Sequence, residues 1–341
     1  MNSELIRNDF PILKTKVGGH QIVYFDNAAT TQRPLPVVNA VLDYTTHENG
    51  NPHRGAHIFA ISASEAYDTS KEVVRDFIHA RSEKEIIYTR NTSESLNLVA
   101  RSYGETHLKA GDHILITIAE HHSNLVTWQR VAQKTGATLD YIYVDKETGH
   151  FPEEELKKID DPRVKLFAFA EVSNVLGIDF DPKPLIQRAH AHGAIVVLDG
   201  AQSTPHKIVD VQDLDCDFFA FSGHKMCSMG GIGVLYGKEE LLNDMEPFLM
   251  GGDMIEDVHE QETTYAELPA KFEAGTQYVE GAVSLVAAIR YIQAIGFDEI
   301  RAQEKRLVTR CLEGMKKLPF IHIIGPTDPE EKEGLVAFEV E

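Results

Sequence analysis

Two neighbouring stretches, AIVVLDGAQS at residues 194–203 and DFFAFSGHKM at 217–226, decide the fold. Each is an apolar run with no alternation, as expected of a strand buried on both faces of a parallel sheet. Each then stops abruptly at polar residues: Asp199 with Gln202 in the first, Ser222, Gly223, His224 and Lys225 in the second. In open α/β sheets the carboxyl ends of the strands open onto the ligand crevice. Asp199 therefore reads as ligand-facing, with a helix cap for the next element as the plainer alternative. A lysine at the mouth of a buried strand is unusual, because desolvation disfavours its charge. A lowered pKa is also what a Schiff-base lysine requires. Lys225 alone would pass for a surface residue; paired with an upstream strand-end aspartate it marks a site.

Working outward, similar runs occur at EIIYT (85–89), HILITI (113–118), LDYIYV (139–144), KLFAFA (165–170) and GIGVLYG (231–237). Helix-period stretches over 57–80, 93–108, 123–135 and 183–192 separate them. Strand and helix in this alternation predict an α/β domain on a mainly parallel sheet. From about residue 280 the pattern changes to a long helical stretch, 281–317 with a break at Gly296, then FIHII (320–324) and GLVAFEVE (334–341). The expected organisation is a large domain over residues 22–270. Residues 1–21 and 271–341 would form a smaller α+β domain, incomplete at its C-terminus because one helix and two strands are a thin core.

The 341 residues carry 33 Lys+Arg against 53 Asp+Glu, a formal net charge of −20. That field repels phosphate backbones and anionic lipid, so neither nucleic acid nor a membrane surface is an expected partner. No apolar run approaches the roughly 18 residues of a membrane helix, and MNSELIRNDFPILKTKV has charges where a signal peptide is apolar. The 3 cysteines, widely spaced, make neither a disulfide framework nor a zinc ribbon. The expectation is a soluble cytoplasmic protein.

Two further segments carry chemistry. Arg90-Asn91-Thr92-Ser93-Glu94-Ser95 follows a strand and opens a helix; amides at a helix N-terminus with small hydroxyl side chains form a ready anion site, or an ordinary cap. The adjacent His121 and His122 lack a carboxylate or cysteine at ligand spacing, so no metal site is expected.

Tyr24-Phe25-Asp26-Asn27-Ala28-Ala29-Thr30-Thr31, Asn51-Pro52-His53-Arg54-Gly55, Glu120-His121-His122-Ser123-Asn124, Asp199-Gly200-Ala201-Gln202 and Ser222-Gly223-His224-Lys225 stand together in one order and spacing. In this the sequence resembles the class V pyridoxal 5'-phosphate (PLP) enzymes. More narrowly it resembles the group II cysteine desulfurases of the sulfur-mobilisation iron–sulfur assembly system, relatives of selenocysteine lyases. The resemblance implies the aspartate aminotransferase-like fold type I. It also implies conversion of L-cysteine or L-selenocysteine to alanine, with the sulfur or selenium passed to an acceptor protein of iron–sulfur cluster assembly.

Residue by residue, Lys225 would hold the PLP aldehyde and act as acid and base, with Asp199 facing the pyridine nitrogen. Unit charges ~4 Å apart at an effective dielectric of ~20 interact by roughly 4 kcal/mol, about three pKa units, which keeps the ring protonated as an electron sink. Gln202 and Asn174 would bond the ring-hydroxyl side, and His122 would stack on the ring and shuttle protons. Thr92, Ser93, Ser222 and His224 would bind the phosphate. Phe272-Glu273-Ala274-Gly275-Thr276 matches a segment whose threonine reaches the phosphate of the partner subunit, implying a homodimer. His53 and Arg54 would border the substrate side.

Two departures stand out. Ser228-Met229-Gly230-Gly231 replaces the Gly-Pro-Thr-Gly usual in relatives after the lysine, and the family's persulfide-forming cysteine has no counterpart among Cys216, Cys227 and Cys311. Cys216 and Cys311 read as packing residues, and Cys227, two residues after Lys225, lies on a different segment from the family's nucleophile. Two alternatives stay open: another class V reaction, aminotransferase or lyase, and a truncated PLP-binding chain without turnover.

Overall fold

The structure, a computed structural model, describes residues 3–341, so the first two residues of the expected small domain lie outside it. Seven strands form the main sheet: β1 (Ile86–Thr89), β2 (His113–Thr117), β3 (Thr138–Ile142), β4 (Val164–Ala170), β5 (Ile195–Asp199), β6 (Phe218–Ser222) and β7 (Gly233–Gly237). Their order is β1-β7-β6-β5-β4-β2-β3. Each coincides with one of the apolar runs of the sequence. The pairings β6/β5, β5/β4, β4/β2 and β2/β3 are all parallel, whereas β1 and β7 pair antiparallel. The chain groups into two compact units, residues 1–91 with 222–296, and 92–221 with 297–341.

The second unit holds β2–β5, most of β6, and helices that cover the strands. Val196, Val197, Leu198, Phe218 and Phe219 are fully buried, as strands covered on both faces must be. Order along the sheet reverses between β2 and β4, since the chain first adds β3 beyond β2 and only then returns to lay down β4 on the other side. Such a reversal is where the carboxyl ends of neighbouring strands part and leave a crevice. The helices lie close to the expected spans, with two irregularities. The 93–108 stretch is Thr92–Val99 followed by a π turn, Ala100–Gly104, and a last short turn. The 123–135 stretch opens with a 3-10 turn, His122–Asn124, before the helix Val126–Thr135. Gly200 comes directly after β5 with no room for a side chain, since an added Cβ would stand 2.0 Å from the Phe219 ring. Residues 297–341 contribute one long helix, Phe297–Met315, and an antiparallel strand pair, Ile321–Ile324 with Ala337–Val340.

In the first unit, helix α1 (Leu35–His47) and helix α2 (Ile58–Phe77) pack on helix α3 (Val279–Ile295). Ala60, Ala63, Val74, Leu285, Ala288 and Ile289 are fully buried; small residues let helix axes approach closely and the larger ones fill the gaps. No pattern in the sequence marked α1, nor the two-stranded pairs within 16–21 and 255–265. Among the described residues no single helix is long and apolar enough to cross a membrane.

Candidate active site

In the second unit the expected residues collect at the carboxyl ends of β2, β4 and β5, beside the reversal in strand order. After β2 the chain turns through Glu120, His121 and His122. Glu120 anchors that turn: one carboxyl oxygen accepts from Thr117 Oγ1 (2.5 Å) and Ala170 N (3.1 Å), the other from Asn124 Nδ2 (2.6 Å). Trp128 Nε1 in turn donates to Asn124 Oδ1 at 2.8 Å. Glu120 thus ties the ends of β2 and β4 to the turn that presents the exposed His122. Burial pushes its carboxyl up to about 8, and the neighbouring charge of Asp199 pushes the same way.

Asp199 ends β5 in register with Ala170 of β4 and Ala220 of β6. Its Oδ1 accepts from Ala201 N at 2.9 Å. The chain runs from Asp199 into a turn and not into a helix, so the helix-cap alternative does not hold: the carboxylate closes a strand-end turn. Gln202 is buried three residues on. After β4, Asn174 lies on a loop whose turn is set by Ser173 Oγ accepting from Val175 N and Leu176 N. Asn174 Oδ1 is buried and has no partner among the described residues, which costs free energy unless a ligand satisfies it. At the start of the Thr92–Val99 helix, Thr92 is buried, and Ser93 Oγ lies 2.5 Å from Ser123 Oγ. That bond links the anion-site helix to the His122 turn.

In the first unit, the end of β6 leads into the 3-10 turn Gly223–Lys225. The carbonyl of His224 accepts three bonds, from Thr31 N (3.0 Å), Thr31 Oγ1 (3.0 Å) and Thr30 Oγ1 (3.1 Å). Thr31 Oγ1 also accepts from Cys227 N at 2.7 Å, and Arg33 Nε donates to the Ser228 carbonyl at 3.1 Å. The segment 30–33 therefore clamps the lysine loop on both sides of Lys225. Burial, with Lys225 and Arg33 adding to it, lowers the His224 pKa and favours a neutral imidazole. Burial pushes the Cys227 thiol up to about 11. Thr276 is exposed on the Phe272–Gln277 loop. His53 and Arg54 occupy separate ion pairs: His53 Nε2 with Asp68 Oδ1 (3.0 Å), and Arg54 Nε with Asp253 Oδ1 (2.7 Å).

Comparison with known proteins meets these strand ends with a family. The Aminotransferase class-V family matches residues 23–341. The chain belongs to the class-V aminotransferases. A probable cysteine desulfurase of Halalkalibacterium halodurans is 46% identical over 341 residues, covering 100% of this chain and 83% of that protein. The apo structure of a cysteine desulfurase from Thermococcus onnurineus NA1 superposes with a TM-score of 0.92 at 42% identity, covering 99% of this chain and 82% of that one. The Escherichia coli cysteine desulfurase CsdA superposes with a TM-score of 0.89 at 36% identity, covering 100% and 83%. The class-V fold is the fold type I of PLP enzymes, and PLP is the cofactor of the family.

The residues of this class-V chain fit that cofactor. The second unit offers a carboxylate at a strand end (Asp199), an unsatisfied buried amide oxygen (Asn174) and hydroxyls at a helix start (Thr92, Ser93); the first unit, taken by itself, carries a lysine on a braced loop (Lys225). Sequence reasoning passed over the roles of Glu120, Thr30, Thr31 and Arg33. All four stand inside or beside quoted motifs, yet the bonds of Thr30 and Thr31 to His224 span more than 190 positions. No local pattern reports such a bond.

Proposed function

We propose that the protein is a PLP-dependent cysteine desulfurase that takes L-cysteine to L-alanine and hands the sulfur to a thiol acceptor serving iron–sulfur cluster assembly. The observation that carries this reading is the layer of Glu120, His122, Asn174 and Asp199 at the strand-order reversal, with Asn174 Oδ1 buried and unsatisfied. When bound, PLP supplies the electron sink that stabilises negative charge at the substrate α-carbon. In this reading Lys225 anchors the cofactor aldehyde and moves the α-proton, and Asp199 holds a proton at the ring nitrogen. Asn174 and Gln202 orient the ring-hydroxyl edge. Thr92, Ser93, Ser222 and His224 take the phosphate, the neutral imidazole of His224 serving as a hydrogen-bond partner. His122 covers the ring face and accepts or returns protons, held in place by the Glu120 anchor. His53 and Arg54 belong to the substrate side.

The same reading carries a cytoplasmic homodimer in which Thr276 serves the partner's phosphate. It also carries a large domain over residues 22–270, with residues 1–21 and 271–341 as the small one; a protease cut confined to the neighbourhood of 270 would support that boundary. The decisive experiment is borohydride reduction of the PLP-saturated protein followed by peptide mapping, alongside assay of alanine release from L-cysteine and L-selenocysteine. Fixation at Lys225 with alanine released from cysteine is the expected result. Fixation at another lysine removes the site assignment. Turnover that depends on an added keto acid, without alanine from either substrate, replaces the desulfurase reading by a transamination.

A further inference from the structure

The Phe272–Gln277 loop is held by an ion pair that the proposed chemistry does not use. The side chains of Lys71, on α2, and Glu273 are only 6% and 4% exposed, and Lys71 Nζ donates to Glu273 Oε1. Lys71 Nζ donates also to the Ile86 carbonyl at 2.9 Å and lies 4.6 Å and 5.4 Å from the ring centroids of Tyr88 and Tyr67. Glu273 Oε1 accepts a second bond from Tyr88 N at 2.8 Å, and Oε2 accepts from the Tyr67 hydroxyl at 2.7 Å. Desolvation lowers the Lys71 pKa and Glu273 opposes that fall. An apolar pair of similar volume is often as stable as a buried ion pair, so stability alone is a weak reason for these charges.

What the pair does fix is a short piece of backbone. Gln277 Nε2 donates to the carbonyls of Glu273 (2.5 Å) and Gly275 (2.8 Å), and its Oε1 lies 3.1 Å from the Tyr67 hydroxyl. Gly275, at φ +88°, donates its N–H to the Gly252 carbonyl at 2.9 Å. These bonds surround Thr276, whose own side chain is exposed. Exposed loop tips are ordinarily the loosest part of a fold. Here the residues on either side of an exposed hydroxyl are pinned to a buried charge pair.

We propose that Lys71 and Glu273 are positioning residues, fixing the Phe272–Gln277 loop so that Thr276 offers a pre-oriented hydroxyl to the cofactor phosphate of a second copy of the chain. The proposal rests on the reading of Thr276 as a phosphate ligand across the homodimer. The test is the dissociation constant of PLP, followed by absorbance on the full chain, for Thr276→Ala, Lys71→Met and the double variant. Each single variant is expected to bind PLP about tenfold more weakly, the 1.4 kcal/mol of one hydrogen bond to a charged group. The double variant should bind no more weakly than either, because both changes remove the same contact. Where Lys71→Met alone does not fold, Lys71→Met with Glu273→Gln supplies a neutral pair that keeps acceptors for Tyr67 and Tyr88. Losses that multiply to about a hundredfold, or Lys71→Met binding as wild type while Thr276→Ala is weakened, overturn the positioning role and leave the Thr276 reading intact. Thr276→Ala binding as wild type overturns the Thr276 reading and the proposal with it.

Discussion

Glu120 shows how much of this site is set one carboxyl at a time. Its pKa is raised from 4.5 to about 8, by burial first, while the bonds from Thr117, Asn124 and Ala170 pull it down. Between these two values the folded protein holds a proton that the unfolded chain has released. Stability therefore falls as pH rises through that window. Glu120→Gln removes the titration, so the variant should gain on the wild type from about pH 5 to about pH 8, by a few kcal/mol at most, and then run parallel. Melting curves of both apoproteins across that range give the answer, and a difference independent of pH would contradict the raised pKa. Any mismatch between the new amide and Asn124 Nδ2 adds a constant offset and leaves the slope untouched.

At the scale of elements, the decisive arrangement is the brace between the segment 30–33 and the loop after β6. Thr31 both donates to the His224 carbonyl and accepts from Cys227 N. Thr31→Val keeps the shape and leaves the Cys227 N–H without that acceptor, at a cost of about 1–3 kcal/mol. The expected outcome is a lower melting temperature together with slower borohydride fixation at Lys225, because the loop on both sides of the lysine is loosened. Unchanged fixation with lowered stability would make the brace a packing feature only. This brace also explains why the motif ending in Thr30-Thr31 accompanies the lysine motif in the sequence: the two are one hydrogen-bonded unit.

At the scale of the whole molecule, the three thiols are placed for packing rather than attack. Cys216 is fully buried ahead of β6, Cys227 is raised to about 11, and Cys311 lies 3.8 Å from the Met315 sulfur on its own helix. Burial keeps the Cys227 thiol protonated at neutral pH, and the thiolate is the nucleophile. Intact-mass analysis after L-cysteine addition should therefore show none of the three carrying an extra sulfur atom, with alanine formation responding to an added external thiol. A stable adduct on Cys227 would make that residue the sulfur acceptor and overturn this reading.

The sequence by itself determined the seven main strands, the long helices and the residues at the strand mouths, because a strand buried on both faces must be apolar along its length and polar where it emerges. It also pointed to Asp199 and Lys225, whose charges at such mouths have no use in packing. Only the tertiary structure decided the antiparallel pairing of β1 with β7 and the reversal of strand order between β2 and β4. Pairing direction and neighbour order depend on where the chain returns, which no window of residues encodes. For the same reason Glu120 looked like one more polar residue in a histidine motif. Its raised pKa comes first from burial, with the charge of Asp199, 79 positions on, pushing the same way, and its tie to the end of β4 runs through Ala170, 50 positions away in the chain.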